Sequence, residues 1–147
     1  MLTTDNQRGG TRNLRDELPE FQTNPVFSKD STGTFAEGTR LRLDIVGQDA
    51  RIEVQLSHQG LIVGRRDPTA RQRPDIDMED YEGYRLGVSR KHASFSADAD
   101  ELTLQDYGSA NGTFLNGVRL PSHQPHKIHD GDVIRFGHLT ARVYFLR

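Results

Sequence analysis

The chain has 147 residues, 19 Lys plus Arg against 21 Asp plus Glu, no Cys, no Trp, and only 33% hydrophobic residues. That length suits one domain with residues to spare, and a formal net charge of -2 argues against a dedicated nucleic-acid binder, which needs a basic surface to neutralise phosphates. The absence of Cys excludes disulfides, thiolate nucleophiles and Cys-based zinc sites. No apolar run approaches the ~20 residues of a membrane span, and the N-terminus lacks the apolar stretch of a secretory signal, so a cytoplasmic protein is expected.

Residues 1–38 are rich in Thr, Asn, Gly and charge and keep neither a helical nor a strand period, which predicts a flexible polar tail. Within it, "RNLRDELPEF" is capped by Asn13 and stopped by Pro19, a helix too short to be stable alone. A domain over 39–147 follows. "TRLRLDIV" alternates Leu41, Leu43 and Ile45 against Arg40, Arg42 and Asp44, the period of a half-buried strand, and "RIEVQLS" repeats it with Ile52, Val54 and Leu56. The polar stretch Gly47 to Ala50 joins them as a turn of hairpin length. "GLIVG" (60–64) reads as a compact strand stopped by Gly64.

Residues 66–88 break the pattern with two Pro, two Gly and ten charges. Loops of this length inside a domain are usually functional or disordered. Here Arg71 and Arg73 are expected to pair with Asp75, Asp77, Glu79 and Asp80, while Ile76, Met78, Tyr81 and Tyr84 anchor the loop on the domain as one wall of a site. Alternation then returns in "HASFSA" (92–97), "ELTLQDY" (101–107), "GTFLNGVRL" (112–120), "DVIRFG" (132–137) and "TARVYFL" (140–146). Asn116-Gly117 is a two-residue hairpin signal, since both positions favour positive φ, and Asp130-Gly131 marks another turn. Many short strands and no long helical pattern mean an all-β sandwich or barrel.

The informative residues fall between strands, where β scaffolds carry function. In order, "GRR" (64–66), "SRKH" (89–92), "NGTFLNG" (111–117) and "HDGDVIRFG" (129–137) resemble the forkhead-associated (FHA) domain over roughly residues 39–147. The resemblance implies a β-sandwich of about eleven short, mostly antiparallel strands. It also implies a non-enzymatic module that binds phosphothreonine-containing proteins through loops at one end, in Ser/Thr protein kinase signalling. A phosphothreonine carries close to two negative charges and three acceptor oxygens, so its receptor needs a guanidinium and neutral donors. By resemblance Arg65 grips the phosphate, Ser89 bonds it, Arg90 adds a cation or a backbone N–H, and Asn111 holds the peptide backbone. Gly64, His92, Gly112 and Thr113 are implied as supports of these loops, with His92 buried and bracing the serine. Two departures are Ala110, where the family often has Ser or Thr, and the length of the 66–88 loop. No cofactor and no metal are implied, and neither a nucleic-acid nor a membrane partner is expected.

Other chemistries fit less well. A Ser89–His92–Asp106 hydrolase triad lacks the Gly-x-Ser-x-Gly elbow. His123, His126 and His129 offer at best three metal ligands, and Pro125 disfavours a helix there, so a solvated loop is expected. "DIDMEDYEG" fails as a calcium loop because its sixth position is Asp80 rather than Gly. Asn111-Gly112-Thr113 matches a glycosylation acceptor only by pattern. The alternative from another class is a phospho-independent assembly module that uses the sandwich faces. The six threonines Thr3, Thr4, Thr11, Thr23, Thr32 and Thr34 add a regulatory expectation: once phosphorylated, the tail occupies its own domain's loops.

Overall fold

The computed structural model describes residues 38–56, 59–98 and 100–146. The expected tail, with its short helix and threonines, lies outside them except for Gly38. Eleven strands occur among the described residues: β1 (Arg40–Ile45), β2 (Ala50–Gln55), β3 (Leu61–Gly64), β4 (Ile76–Asp77), β5 (Lys91–Asp98), β6 (Glu101–Asp106), β7 (Thr113–Leu115), β8 (Val118–Arg119), β9 (His126–Ile128), β10 (Val133–Phe136) and β11 (Leu139–Leu146). They form two sheets, β2-β1-β11-β10-β7-β8 and β4-β3-β5-β6-β9, antiparallel except for the β3–β4 pair. The described residues form an all-β sandwich.

Alternation builds this fold directly. Leu41, Leu43 and Ile45 on β1 and Leu139, Ala141 and Val143 on β11 turn inward from the six-stranded sheet; Val63, Ala93, Phe95, Leu102 and Leu104 turn inward from the other. Each is buried, and fully burying a large aliphatic or aromatic side chain contributes about 1.5–3 kcal/mol. Phe95 and Phe136 meet edge to face across the core with ring centroids 6.5 Å apart, a favoured aromatic arrangement. The turn signals hold as well: Asn116 and Gly117 sit at φ 49° and 86° between β7 and β8, and Gly131 at 90°. The β1–β2 turn is shorter at its far end than expected, since Ala50 already pairs with Ile45 as the first residue of β2.

The 66–88 segment is ordered on the sandwich. Ile76 and Met78 are buried, β4 pairs in parallel with β3 through Val63 and Ile76, and a single 3₁₀ turn (Met78–Tyr81) follows. A parallel pair needs a crossover of a dozen or so residues, which gives the stretch before β4 a structural purpose. Asp77 caps the turn by accepting from the Glu79 N–H at 3.0 Å, and Asp75 accepts from the Ile62 N–H at 2.8 Å.

Three expectations need correcting. Tyr84 is 71% exposed and anchors nothing in the core; its ring lies beside the Arg65 guanidinium, while Val88 further on takes the buried place. The ion pairs of the loop run from Arg66 to Asp77 and Asp80, from Arg85 to Glu82 and from Asp67 to Arg90 beyond it; Arg71 and Arg73 pair with no described residue. The histidine segment is no simple solvated loop either. Its residues 126–128 are β9, which pairs with β6 and buries Ile128 completely.

Candidate functional site

Gly64, Ser89, Asn111 and their neighbours converge where β3 ends, β5 begins and the β6–β7 connection passes. At Gly64 the β3–β5 register slips, bringing the backbones so close that a Cβ on Gly64 would lie 1.9 Å from the Arg90 carbonyl oxygen. Only glycine fits. The slip aims Arg65 across the 86–90 segment, where its Nε–H donates to the Val88 carbonyl at 2.7 Å and its guanidinium carbon lies 5.0 Å from the centre of the Tyr84 ring. Its two terminal nitrogens meet no carboxylate among the described residues.

The adjacent Arg66 contrasts with it. Arg66 contacts Asp77 at 3.0 Å and Asp80 at 2.7 Å, and these hydrogen bonds raise its already high pKa. Of two neighbouring arginines, one is committed to the 66–88 segment and the other faces outward. Arg90 is engaged as well, 2.8 Å from Asp67, whose carboxyl it helps hold down to about 2.

The Ser89 hydroxyl oxygen accepts from the Ala110 N–H at 3.1 Å, so its own proton is left to donate elsewhere. Asn111 donates through Nδ2 to the Gly87 carbonyl at 3.0 Å. Gly87 has φ 80°, a conformation that favours glycine, and a Cβ there would sit 2.6 Å from that amide nitrogen and displace the Asn111 side chain. These two bonds lace the 86–90 segment to the β6–β7 connection.

His92 lies beneath them, fully buried. Its Nδ1 accepts from the Ser89 N–H at 3.0 Å, and its Nε2 lies 2.9 Å from the Gly112 carbonyl oxygen. A carbonyl only accepts, so Nε2 carries the proton and the ring is the neutral Nε2–H tautomer. Burial pushes its pKa below the ordinary histidine value, against smaller raising contributions from the Gly112 carbonyl and Asp106. With both nitrogens committed to backbone, His92 has no bond to the Ser89 hydroxyl or to Asp106. The arrangement is not a hydrolase triad.

Asp106 has a different task, one that alternation alone does not reveal. Nearly fully buried at the end of β6, it accepts from the hydroxyls of Ser109 (2.6 Å), Thr113 (2.6 Å) and Ser122 (3.0 Å) and from the N–H groups of Gly108 (2.8 Å) and Ser109 (3.2 Å). Burial alone would raise its pKa, but these donors outweigh it and the net shift is downward. Asp106 therefore fixes the curve of the connection that presents Asn111. Thr113 is its buried partner, and Gly112, at φ 87°, makes the turn between them. The sequence signal was present in the Asp-x-Gly-Ser spacing from Asp106, typical of an Asx turn. Among the described residues no group of three His, Asp or Glu side chains is placed to hold a metal ion, and no helix is long and apolar enough to cross a membrane.

Comparison with known proteins follows the same lines. The family model for the FHA domain matches residues 61–137. Protein FraH of Nostoc sp. is 33% identical over 96 residues, 65% of this chain and 32% of FraH. This chain spans less than a third of the length of the curated relatives it first matches. The FHA domain of FhaA, solved in complex with the intracellular domain of Rv3910, is 30% identical, with 71% of this chain and 98% of that one covered and a TM-score of 0.52. A domain solved in a study of phosphothreonine-dependent FHA domain interactions is 27% identical over 71% of this chain and 95% of its own, with a TM-score of 0.54.

Proposed function

This chain belongs to the FHA domain family, and we propose that it binds phosphothreonine-containing proteins through Arg65, Ser89, Arg90 and Asn111, without catalysing a reaction on them. The observation that carries this reading is the division of labour between the two adjacent arginines. Arg66 is neutralised by Asp77 and Asp80, whereas Arg65 is held at Nε by a neutral carbonyl and keeps its terminal N–H groups for an external anion. A guanidinium so held matches the geometry of a phosphate, and charge-assisted bonds to it are about twice as strong as neutral ones. Ser89 supplies a free hydroxyl donor beside it. Asn111 keeps its side-chain oxygen for a peptide N–H while Nδ2 is fixed on Gly87. Arg90 is set back by its pair with Asp67 and contributes mainly field, and the 84–88 stretch forms one wall of the site.

The partner is a phosphoprotein made by a Ser/Thr protein kinase in the cytoplasm. The chain's own first 38 residues are one source of phosphothreonine. A coil of that length has a root-mean-square span of roughly 30–35 Å, enough to reach these loops from Thr39, and tethering sets a local concentration on the order of millimolar. Thr3 or Thr4, once phosphorylated, would shut the site to other partners. If phosphorylating the tail leaves the amide shifts of Arg65, Ser89 and Asn111 unchanged, this regulation is absent.

One titration tests the main reading. A phosphothreonine peptide, its phosphoserine and unphosphorylated versions, and an Arg65→Ala protein are compared by calorimetry. Binding of the first peptide alone, lost in the variant, is expected; equal binding of all three overturns the reading and favours phospho-independent assembly.

A further inference from the structure

The two outer faces of the sandwich carry unlike charge. On the six-stranded sheet the strand registers place Arg40, Arg42, Arg51, Arg119, Arg135 and Arg142 outward, with Asp44 and Glu53 as the only outward carboxylates of its described strands. The outer face of β5, β6 and β9 instead shows Ser96, Thr103, Gln105 and one Glu101–Lys127 ion pair. The acids that balance the arginines lie elsewhere along the chain, six of the 21 in residues 66–88 and six in residues 1–38. A chain of net charge -2 thus keeps one strongly basic face.

That face starts at the candidate site. A Cβ on Gly112 would lie 3.0 Å from Arg119 Nε, and Arg135 donates to the Gly137 carbonyl at 2.6 Å while the Gly137 N–H bonds the Gly112 carbonyl. Both arginines therefore touch the immediate surroundings of Asn111. They flank Phe114, with Arg135 stacked 3.8 Å and Arg119 5.9 Å from its ring centre. From this row the face continues through Arg142 and Asp44 to Arg51, then through Tyr144 to Arg42, then to Arg40. Three steps of two residues along the strands span about 20 Å, the reach of about six extended residues.

We propose that this face is a docking surface for an acidic segment of the same phosphoprotein whose phosphothreonine enters the loops, a proposal that rests on the function given above. The chemistry selects carboxylates over a nucleic-acid backbone. Asp44 and Glu53 already interrupt the basic field, pairing with Arg42 and Arg40 at 2.9 Å each, and would repel a continuous line of phosphates. Discrete glutamates can address Arg119, Arg135, Arg142 and Arg51 singly, and guanidinium forks suit carboxylates. Arg119 and Arg51 are exposed and pair with no described acid.

The test uses the full chain and three probes: a phosphothreonine peptide with a six-glutamate tail, the same peptide with a glycine–serine tail, and hexaglutamate alone. In about 50 mM salt the glutamate tail is expected to tighten binding roughly fivefold, the sum of a few exposed ion pairs, and to lose that gain at about 500 mM. Hexaglutamate alone should shift the amides of Arg119, Arg135 and Arg142. An Arg51→Ser/Arg142→Ser double variant, both positions away from the loops, should bind the glycine–serine peptide as before and lose much of the tail's gain; a six-lysine tail should weaken binding to the unaltered chain. Equal binding with both tails, or unmoved amides with hexaglutamate, overturns the proposal. So does tighter binding of a duplex oligonucleotide to this face. If neither phosphopeptide engages the loops but hexaglutamate still shifts the face, the docking surface stands and the phosphothreonine reading falls.

Discussion

The α-carbon of Gly64 faces the carbonyl of Arg90 so closely that the missing Cβ would overlap it, at 1.9 Å. The obstacle is backbone, held on one side by the β3–β5 ladder and on the other by the Arg65 N–H, which bonds that same carbonyl at 3.3 Å. No rotamer change relieves it.

Gly64→Ala should therefore sit at the severe end of overpacking, with a loss of about 3 kcal/mol. Gly117→Ala is the control. Its Cβ meets nothing within 4 Å, so only the strain of φ 86° remains, about 1 kcal/mol. Urea midpoints of the two variants check the order, and only the first should also weaken phosphopeptide binding.

Arg65 and Arg66 should separate binding from stability. Arg65→Lys keeps a charge but loses the planar fork and the Nε–H that fixes it on Val88, and binding of a phosphothreonine peptide should fall about tenfold or more. Arg66→Ala should leave the affinity within about twofold and lower stability only slightly, because the Arg66 guanidinium and its acid partners are solvent-screened. Calorimetric titration and denaturant unfolding read the two effects independently. Equal losses of binding would remove the distinction between the two side chains.

His92 makes the site acid-sensitive. Its folded-state pKa lies below the ordinary value of 6.5 because burial disfavours the cation, so the unfolded chain takes up a proton first as pH falls. The stability it secures is complete above about pH 6.5 and declines as pH falls from there toward the folded pKa. The Ser89 N–H to Nδ1 bond is lost when the ring is protonated. Proton-monitored NMR of the ring, followed alongside the Ser89 amide, should show both changing together.

Asp106 should dominate at lower pH. Its folded pKa is depressed, so its contribution is present above about pH 4, the unfolded value, and is lost as pH falls through the folded value. Asp106→Ala leaves three hydroxyls and two N–H groups short of an acceptor and should cost roughly 3 kcal/mol. Asp106→Asn should flatten the acid limb of the stability curve; an unchanged limb would mean another carboxylate carries it.

The strands were legible because alternation is local. Leu41, Leu43 and Ile45 announce their face without reference to any partner, and Asn116-Gly117 announces its turn by what its backbone must adopt. β4 and β9 were not, since two or three residues are too few to show a period; Ile76 and Ile128 are buried by strands distant in sequence. Among the loop residues, the ordered resemblance to the FHA domain singled out Arg65, Ser89, His92 and Asn111, which the fold gathers at one end. What sequence cannot tell is which of two identical neighbours is already neutralised. Arg65 and Arg66 differ in the acids that β4 and the 3₁₀ turn bring to Arg66, Asp77 and Asp80, and Tyr84, which looked like a core anchor, stands exposed beside Arg65.

His92 joins two loops by one rigid ring, holding the backbone of Ser89 with one nitrogen and that of Gly112 with the other. Neither loop can swing without dragging its neighbour. A receptor so constructed has its walls standing before the guest arrives: the association rate should be set by diffusion and charge steering rather than by closure, and free and occupied forms should differ little in compactness.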